Sequence, residues 1–155
     1  MLLIIGFLFM LFIFTIVGIL SSTPAIFIDL PSASLILVPL LFFLLTTDSG
    51  KILGAYIKTS FKKEHSYTQA ELKALSVAVR NTIKFILAVG GFGFMAGLIA
   101  SLASIGSLEK LGPNLAVSLI TLTYSIVTSY FVFFPTQAWA ENKINVCSIN
   151  PVNRY

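Results

Sequence analysis

The stretch Leu111-Gly112-Pro113-Asn114-Leu115-Ala116-Val117-Ser118-Leu119-Ile120-Thr121-Leu122-Thr123-Tyr124 carries regularly spaced hydroxyls and no charge, and it opens a run apolar enough to cross a membrane. Hydroxyls in a hydrocarbon-length helix are costly unless they meet water, an ion or a partner helix. Ser118, Thr121, Ser125 and Thr128 follow steps of three, four and three, so they share one helix face. That face reads either as contact with a pore or partner, or as ordinary helix packing. Thr123 points away from it.

Working outward, the chain has 155 residues, of which 57% are hydrophobic and only 10% charged, with a mean hydropathy of +0.96. This is the composition of an integral membrane protein. Four windows approach the roughly 20 residues that a hydrocarbon core of about 30 Å requires: 2–20, 32–47, 84–105 and 114–134. Little remains for a soluble domain, so residues 1–155 are expected to form one all-α, four-span unit with a helical linker over 48–83. The first window has no preceding Lys or Arg and a longer apolar run than a signal core, which predicts a retained span. Cys147 is the only cysteine, so no internal disulfide can form.

Charge sets the orientation. Of ten Lys and Arg residues, seven fall from the end of the second window to the first residue of the third: Lys51, Lys58, Lys62, Lys63, Lys73, Arg80 and Lys84. The positive-inside bias makes that connection cytoplasmic and, with four spans, puts both termini inside as well. The basic balance is therefore a topology signal, and no nucleic-acid partner is implied.

The linker itself is patterned. Asp29 and Ser32 can cap the second helix, with Pro31 in its first turn, and Pro39 lies within it. After Thr47-Asp48-Ser49, residues Ile52, Leu53, Tyr56, Ile57 and Phe61 recur at amphipathic spacing while Lys51, Lys58, Lys62 and Lys63 fall largely elsewhere. That pattern predicts a helix in the inner membrane interface with its lysines near anionic lipid. Thr68-Gln69-Ala70-Glu71 is a capping box, and no glycine or proline follows until Gly90. One helix from there to Ile105 would be roughly 55 Å long at about 1.5 Å per residue, longer than a bilayer core. In its membrane part Gly90, Gly93, Gly97, Ser101 and Ser104 make a small-residue face suited to close helix packing or to lining a pore.

Nothing in the spans resembles a reacting centre. His65, in Lys62-Lys63-Glu64-His65, reads as a solvated loop residue, Glu109-Lys110 as an exposed pair, and there is no nucleophile–base pair, metal-ligand spacing or cofactor fingerprint. An enzyme is not expected, and no cofactor is implied. Hydroxyls alone cannot hold a proton reversibly near neutral pH, so a carboxylate for ion transport would have to come from another chain.

Several segments resemble the flagellar stator protein MotA and the wider MotA/TolQ/ExbB proton-channel family. These are Phe27-Ile28-Asp29-Leu30-Pro31-Ser32, the stretch from Tyr56-Ile57-Lys58 to Phe61-Lys62-Lys63, Tyr67-Thr68-Gln69-Ala70-Glu71-Leu72, and Leu111-Gly112-Pro113-Asn114-Leu115-Ala116-Val117 continuing through Leu122-Thr123-Tyr124 to Phe134-Pro135. The resemblance implies a homopentamer in the bacterial inner membrane around the single-span helices of MotB- or ExbD-like partners, each carrying a membrane aspartate. It also implies that proton or sodium flow turns the ring. Ser118, Thr121, Ser125 and Thr128 would then line the ion path. Lys58, Lys62, Lys63 and Arg80 would couple to a cytoplasmic element or to lipid. The chain lacks the large cytoplasmic insertion of flagellar members. The family's third-span proline and hydroxyl fall near Leu87 and Phe94, and its fourth-span threonine at Leu122. The ion path has therefore moved onto the Ser118 face or has closed; the alternative function is a non-conducting pentameric scaffold.

Overall fold

The computed structural model describes residues 2–20, 29–60, 67–103, 106 and 108–149. Among them the protein is all-α, with five helices and no strand. Helix α1 is Leu2–Leu20, α2 is Leu30–Thr46, α3 is Asp48–Ser60 and α4 is Gln69–Ala103. The last helix is continuous but changes pitch: α5, Leu108–Val127, passes through a π-helical turn, Thr128–Phe133, into α6, Phe134–Ile149.

Gln69–Ala103 and Leu111–Val146 are each long and apolar enough to cross a membrane. A third candidate exists if α2 and α3, which meet at 92°, count as one bent span. The long third helix expected from the capping box is present, started by the Thr68 N–H donating to Glu71 Oε2 at 2.8 Å. Helix α2 begins two residues before the predicted window because Asp29, not Ser32, is its N-cap and accepts from the Ser32 N–H. It runs unbroken across Pro39.

The largest departure is at the end of the chain. The span window 114–134 lies inside a longer helix, which starts at Leu108 and continues to Ile149. Pro135 has no N–H and its ring crowds the carbonyl four residues back, which normally ends or kinks a helix. Here the π turn immediately before it widens the spiral, and the Phe134 N–H reaches five residues back to the Ser129 carbonyl.

Contacts fix the helix order. Leu35 of α2 packs at Gly93 of α4, and Phe43 stacks on Phe85 with ring centroids 4.4 Å apart, so α2 and α4 are antiparallel. α4 and α5 are antiparallel as well, Gly97 meeting Ser118 and Gly90 meeting Ser125. α1 runs antiparallel to the last helix, with Gly6 against Phe131 and Val132 and Met10 beside Thr128. α3 turns across the end of this bundle. Its Leu53 and Tyr56 are buried, and Tyr56, Tyr67 and Trp139 form a three-ring cluster with centroids 5.6–6.0 Å apart. The amphipathic face expected to lie on lipid is thus turned in part onto protein; Lys51, Lys58 and Ile57 are the exposed side of α3.

Candidate functional site: the seam between α4 and α5

The two faces singled out in the sequence are the two halves of one seam. Gly90, Gly93 and Gly97 recur on one side of α4, and Ser118, Thr121 and Ser125 on one side of α5, because each set follows the three-to-four-residue period of a helix. In the antiparallel hairpin they interlock. A Cβ on Gly93 would lie 2.7 Å from Thr121 Cγ2 and 2.8 Å from Leu35 Cδ2. On Gly97 it would collide with the Ser118 side chain and come 3.0 Å from its Cα, and on Gly90 it would strike Ser125 Oγ. Ser118, Thr121 and Ser125 are at most 2% exposed.

Each hydroxyl in the seam is accounted for by protein. Ser118 donates to the Leu115 carbonyl at 2.7 Å, Ser125 to that of Leu122 at 2.8 Å, and Ser101 to that of Gly97 at 2.9 Å. Thr121 Oγ1 lies 2.9 Å from both the Val117 carbonyl and Ser32 Oγ. Ser32, 1% exposed, donates in turn to the Asp29 carboxylate, and the Asp29 N–H donates to the Tyr124 hydroxyl at 3.3 Å. A short polar chain therefore fastens the start of α2 to α5, and the cap residues of the sequence prove to be part of the stripe's own environment.

Thr128 leaves this line. It is half-buried and its hydroxyl points to Met10 Sδ, 3.8 Å away on α1. Ser129 takes its place in the buried row at 0% exposure, followed by Thr136, also at 0%. Neither Ser129 Oγ nor Thr136 Oγ1 has a hydrogen-bond partner, an arrangement that costs about 1–3 kcal/mol per buried group. A step of four after Ser125 is the one signal in the sequence that could have pointed to Ser129.

The outward faces are apolar apart from Thr123. On α4, Phe92, Met95, Ile99 and Leu102 are exposed, while Phe94 and Leu87 are half-buried. On α5, Leu115, Leu119 and Ile126 are exposed, with Thr123, whose hydroxyl returns to the Leu119 carbonyl at 2.9 Å, and Leu122 is half-buried.

Toward the N-terminal end of α4 a second polar group joins it to α6. Glu141 Oε1 accepts from Ser76 Oγ, Arg80 Nη2 and Gln137 Nε2, each at 3.0 Å. The hydrogen bonds from Gln137, Arg80 and Ser76 hold the Glu141 carboxyl below the ordinary carboxylate value. Arg80, a candidate for coupling to another molecule, is thus engaged within the chain, with its side chain 52% exposed. Lys58 is exposed; Lys62, Lys63, His65 and Ser104 lie outside the described residues, as do the side chains of Glu109, Lys110 and Cys147. Among the described residues no three His, Cys, Asp or Glu side chains come together as a metal site would require.

No family model, curated protein or solved structure matches the chain, so the likeness to the MotA/TolQ/ExbB family rests on the segments quoted above.

Proposed function

We propose that the chain is a four-span, stator-type membrane subunit with both termini in the cytoplasm, assembling as a homopentamer around a single-span MotB- or ExbD-like partner in the bacterial inner membrane. Its spans are α1, α2 and the outer parts of α4 and α5. Helix α3 lies at the inner interface with Lys51 and Lys58 toward anionic lipid, and the inner ends of α4 and α6 project into the cytoplasm as a clamped pair. The quoted resemblance supports the ring and the partner. The long α4 and the basic 48–83 segment support the orientation.

Of the two forms this assembly can take, the geometry favours the non-conducting scaffold. The observation that carries it is the burial of Ser118, Thr121 and Ser125 against the glycines of their own chain. An ion path needs polar groups on a surface that a partner's carboxylate can reach, and these hydroxyls are spent on backbone carbonyls and Ser32. The second form, a motor driven by proton or sodium flow, is favoured by Thr123, whose place on the outward face of α5 leaves it open to a neighbouring helix.

The test is reconstitution of the purified complex in lipid vesicles, with native mass measurement of its composition. The scaffold reading expects five copies of the 16.9 kDa subunit and proton and sodium leaks equal to those of empty vesicles. A monomer would overturn the ring. Ion flux that Thr123→Ala abolishes would replace the scaffold by the motor.

A further inference from the structure

The geometry points to the π-helical turn Thr128–Phe133 as a two-state joint that sets the rotation of α6, and with it the cytoplasmic end of the chain, relative to the membrane helix α5. Four separate features meet there. The turn is one residue too full for an α-helix, as the bond from the Phe134 N–H to the Ser129 carbonyl shows. Pro135 has no N–H, so the Phe131 carbonyl loses the donor that an α-helix would bring to it. That carbonyl faces α1 at Gly6, where a Cβ would collide with it and come 3.0 Å from Val132 Cα. Finally, of the two buried hydroxyls without partners, Ser129 lies within this turn and Thr136 three residues beyond it. By contrast, the regular helices give Thr82, Ser101, Ser118, Thr121 and Ser125 a carbonyl three or four residues back.

The two sides of the joint are held differently. Above it the glycine seam locks α5 to α4. Below it the polar hold on α6 is Glu141 with Arg80, both half-exposed, beside the Trp139 ring cluster. Letting the wide turn close to α-helical pitch turns everything after it by about one residue's worth, roughly 100°. The row now facing inward, Thr136, Ala140 and Ile144, would give way to the residues one position earlier, Pro135, Trp139 and Lys143. Pro135 and Trp139 are half-buried in the present state and Lys143 is exposed. Rotation would withdraw Glu141 from Ser76 and Arg80 and take Trp139 out of its ring cluster. In the present state the clamp is closed; in the other it is open.

The experiment measures distances between spin labels on Lys73→Cys and Lys143→Cys in a Cys147→Ser background. The full chain is held in lipid nanodiscs and diluted with unlabelled chain, and the emission of Trp139 is recorded in parallel. Pro135→Ala restores the missing N–H, and Glu141→Gln loosens the clamp; each is expected to populate a second distance displaced by about 8 Å, for a side chain about 5–6 Å from the helix axis, together with a change in Trp139 emission. Deleting Tyr130, an exposed residue of the wide turn, removes the extra residue while keeping the phase of α6. It should hold the first distance even when combined with either substitution. A single unchanged distance in both Pro135→Ala and Glu141→Gln overturns the joint. So does a second distance that persists after the deletion, since the wide turn would then not be its source.

Discussion

Gly93 and Thr121 face each other across the α4–α5 seam so closely that a single methyl on Gly93 would lie 2.7 Å from Thr121 Cγ2. The same site is where α2 joins the hairpin, through Leu35 Cδ2 at Gly93 and Ser32 Oγ at Thr121. Three helices are thus fixed by one missing side chain. Without a hydrophobic driving force between helices in lipid, such close approach is what makes association favourable.

The first prediction uses two adjacent glycines as their own control. A Cβ on Gly90 would strike Ser125, whereas one on Gly91 meets nothing within 4 Å. Gly90→Ala should therefore destabilise the protein by about 1–3 kcal/mol, the usual cost of overfilling a packed contact. Gly91→Ala should be neutral or stabilising by up to about 1 kcal/mol, because alanine is the better helix former. Denaturant-induced loss of helical circular dichroism in detergent micelles compares the two; equal effects would show that the seam is looser than described.

A second prediction concerns the seat of α3. Tyr56 is 6% exposed, and its ring lies against those of Tyr67 and Trp139. Removing it should cost about 3–5 kcal/mol, as truncation of a buried aromatic does, and should free α3 from α4. Trp139 is the only tryptophan, so its emission reads this event directly. Tyr56→Ala should shift it to longer wavelength, and Ile57→Ala, on the exposed side of α3, should not.

The clamp at Glu141 predicts a pH dependence. Its carboxyl is held below the ordinary carboxylate value by Gln137, Arg80 and Ser76, so the unfolded chain binds a proton more readily than the folded one. The stability this contributes is complete above the ordinary carboxylate range and is lost as the pH falls through the lower, folded value. Because Glu141 and Arg80 are half-exposed, the effect is small. Thermal unfolding between neutral pH and pH 3 should show it, and Glu141→Gln should remove that component of the acid sensitivity.

Much of this architecture was open to reading from residue order, and the parts that were not share a cause. Hydropathy and capping are local: the Thr68 box started α4 where expected, and Asp48–Ser60 took the amphipathic form its spacing predicts. Both small-residue and hydroxyl rows were visible for the same reason. That they face each other was not, because neighbours among helices are set by the whole bundle. The structure turns Thr128 toward α1 and buries Ser129 in the row instead, although the α-helical step of four from Ser125 to Ser129 is present in the sequence. The contact between Gly6 and the Phe131 carbonyl was hidden for the same reason, since it joins residues more than a hundred positions apart. Arg80 and Glu141 carry opposite charges on adjacent helices, yet only the fold shows that they pair.

The central claim is that the hydroxyl row is sealed inside the chain's own helix bundle, and cysteine accessibility tests it without any partner being known. In a Cys147→Ser background, Ser118→Cys, Thr121→Cys and Ser125→Cys are each exposed in intact membranes to a membrane-impermeant thiosulfonate, with Lys58→Cys, on the exposed side of α3, as the reactive reference in inverted membranes. A sealed seam predicts no labelling at 118, 121 or 125 from either side, in chains that keep wild-type helicity. Labelling at successive positions along the row would contradict it, because water would then reach the hydroxyls and the row would line an aqueous path.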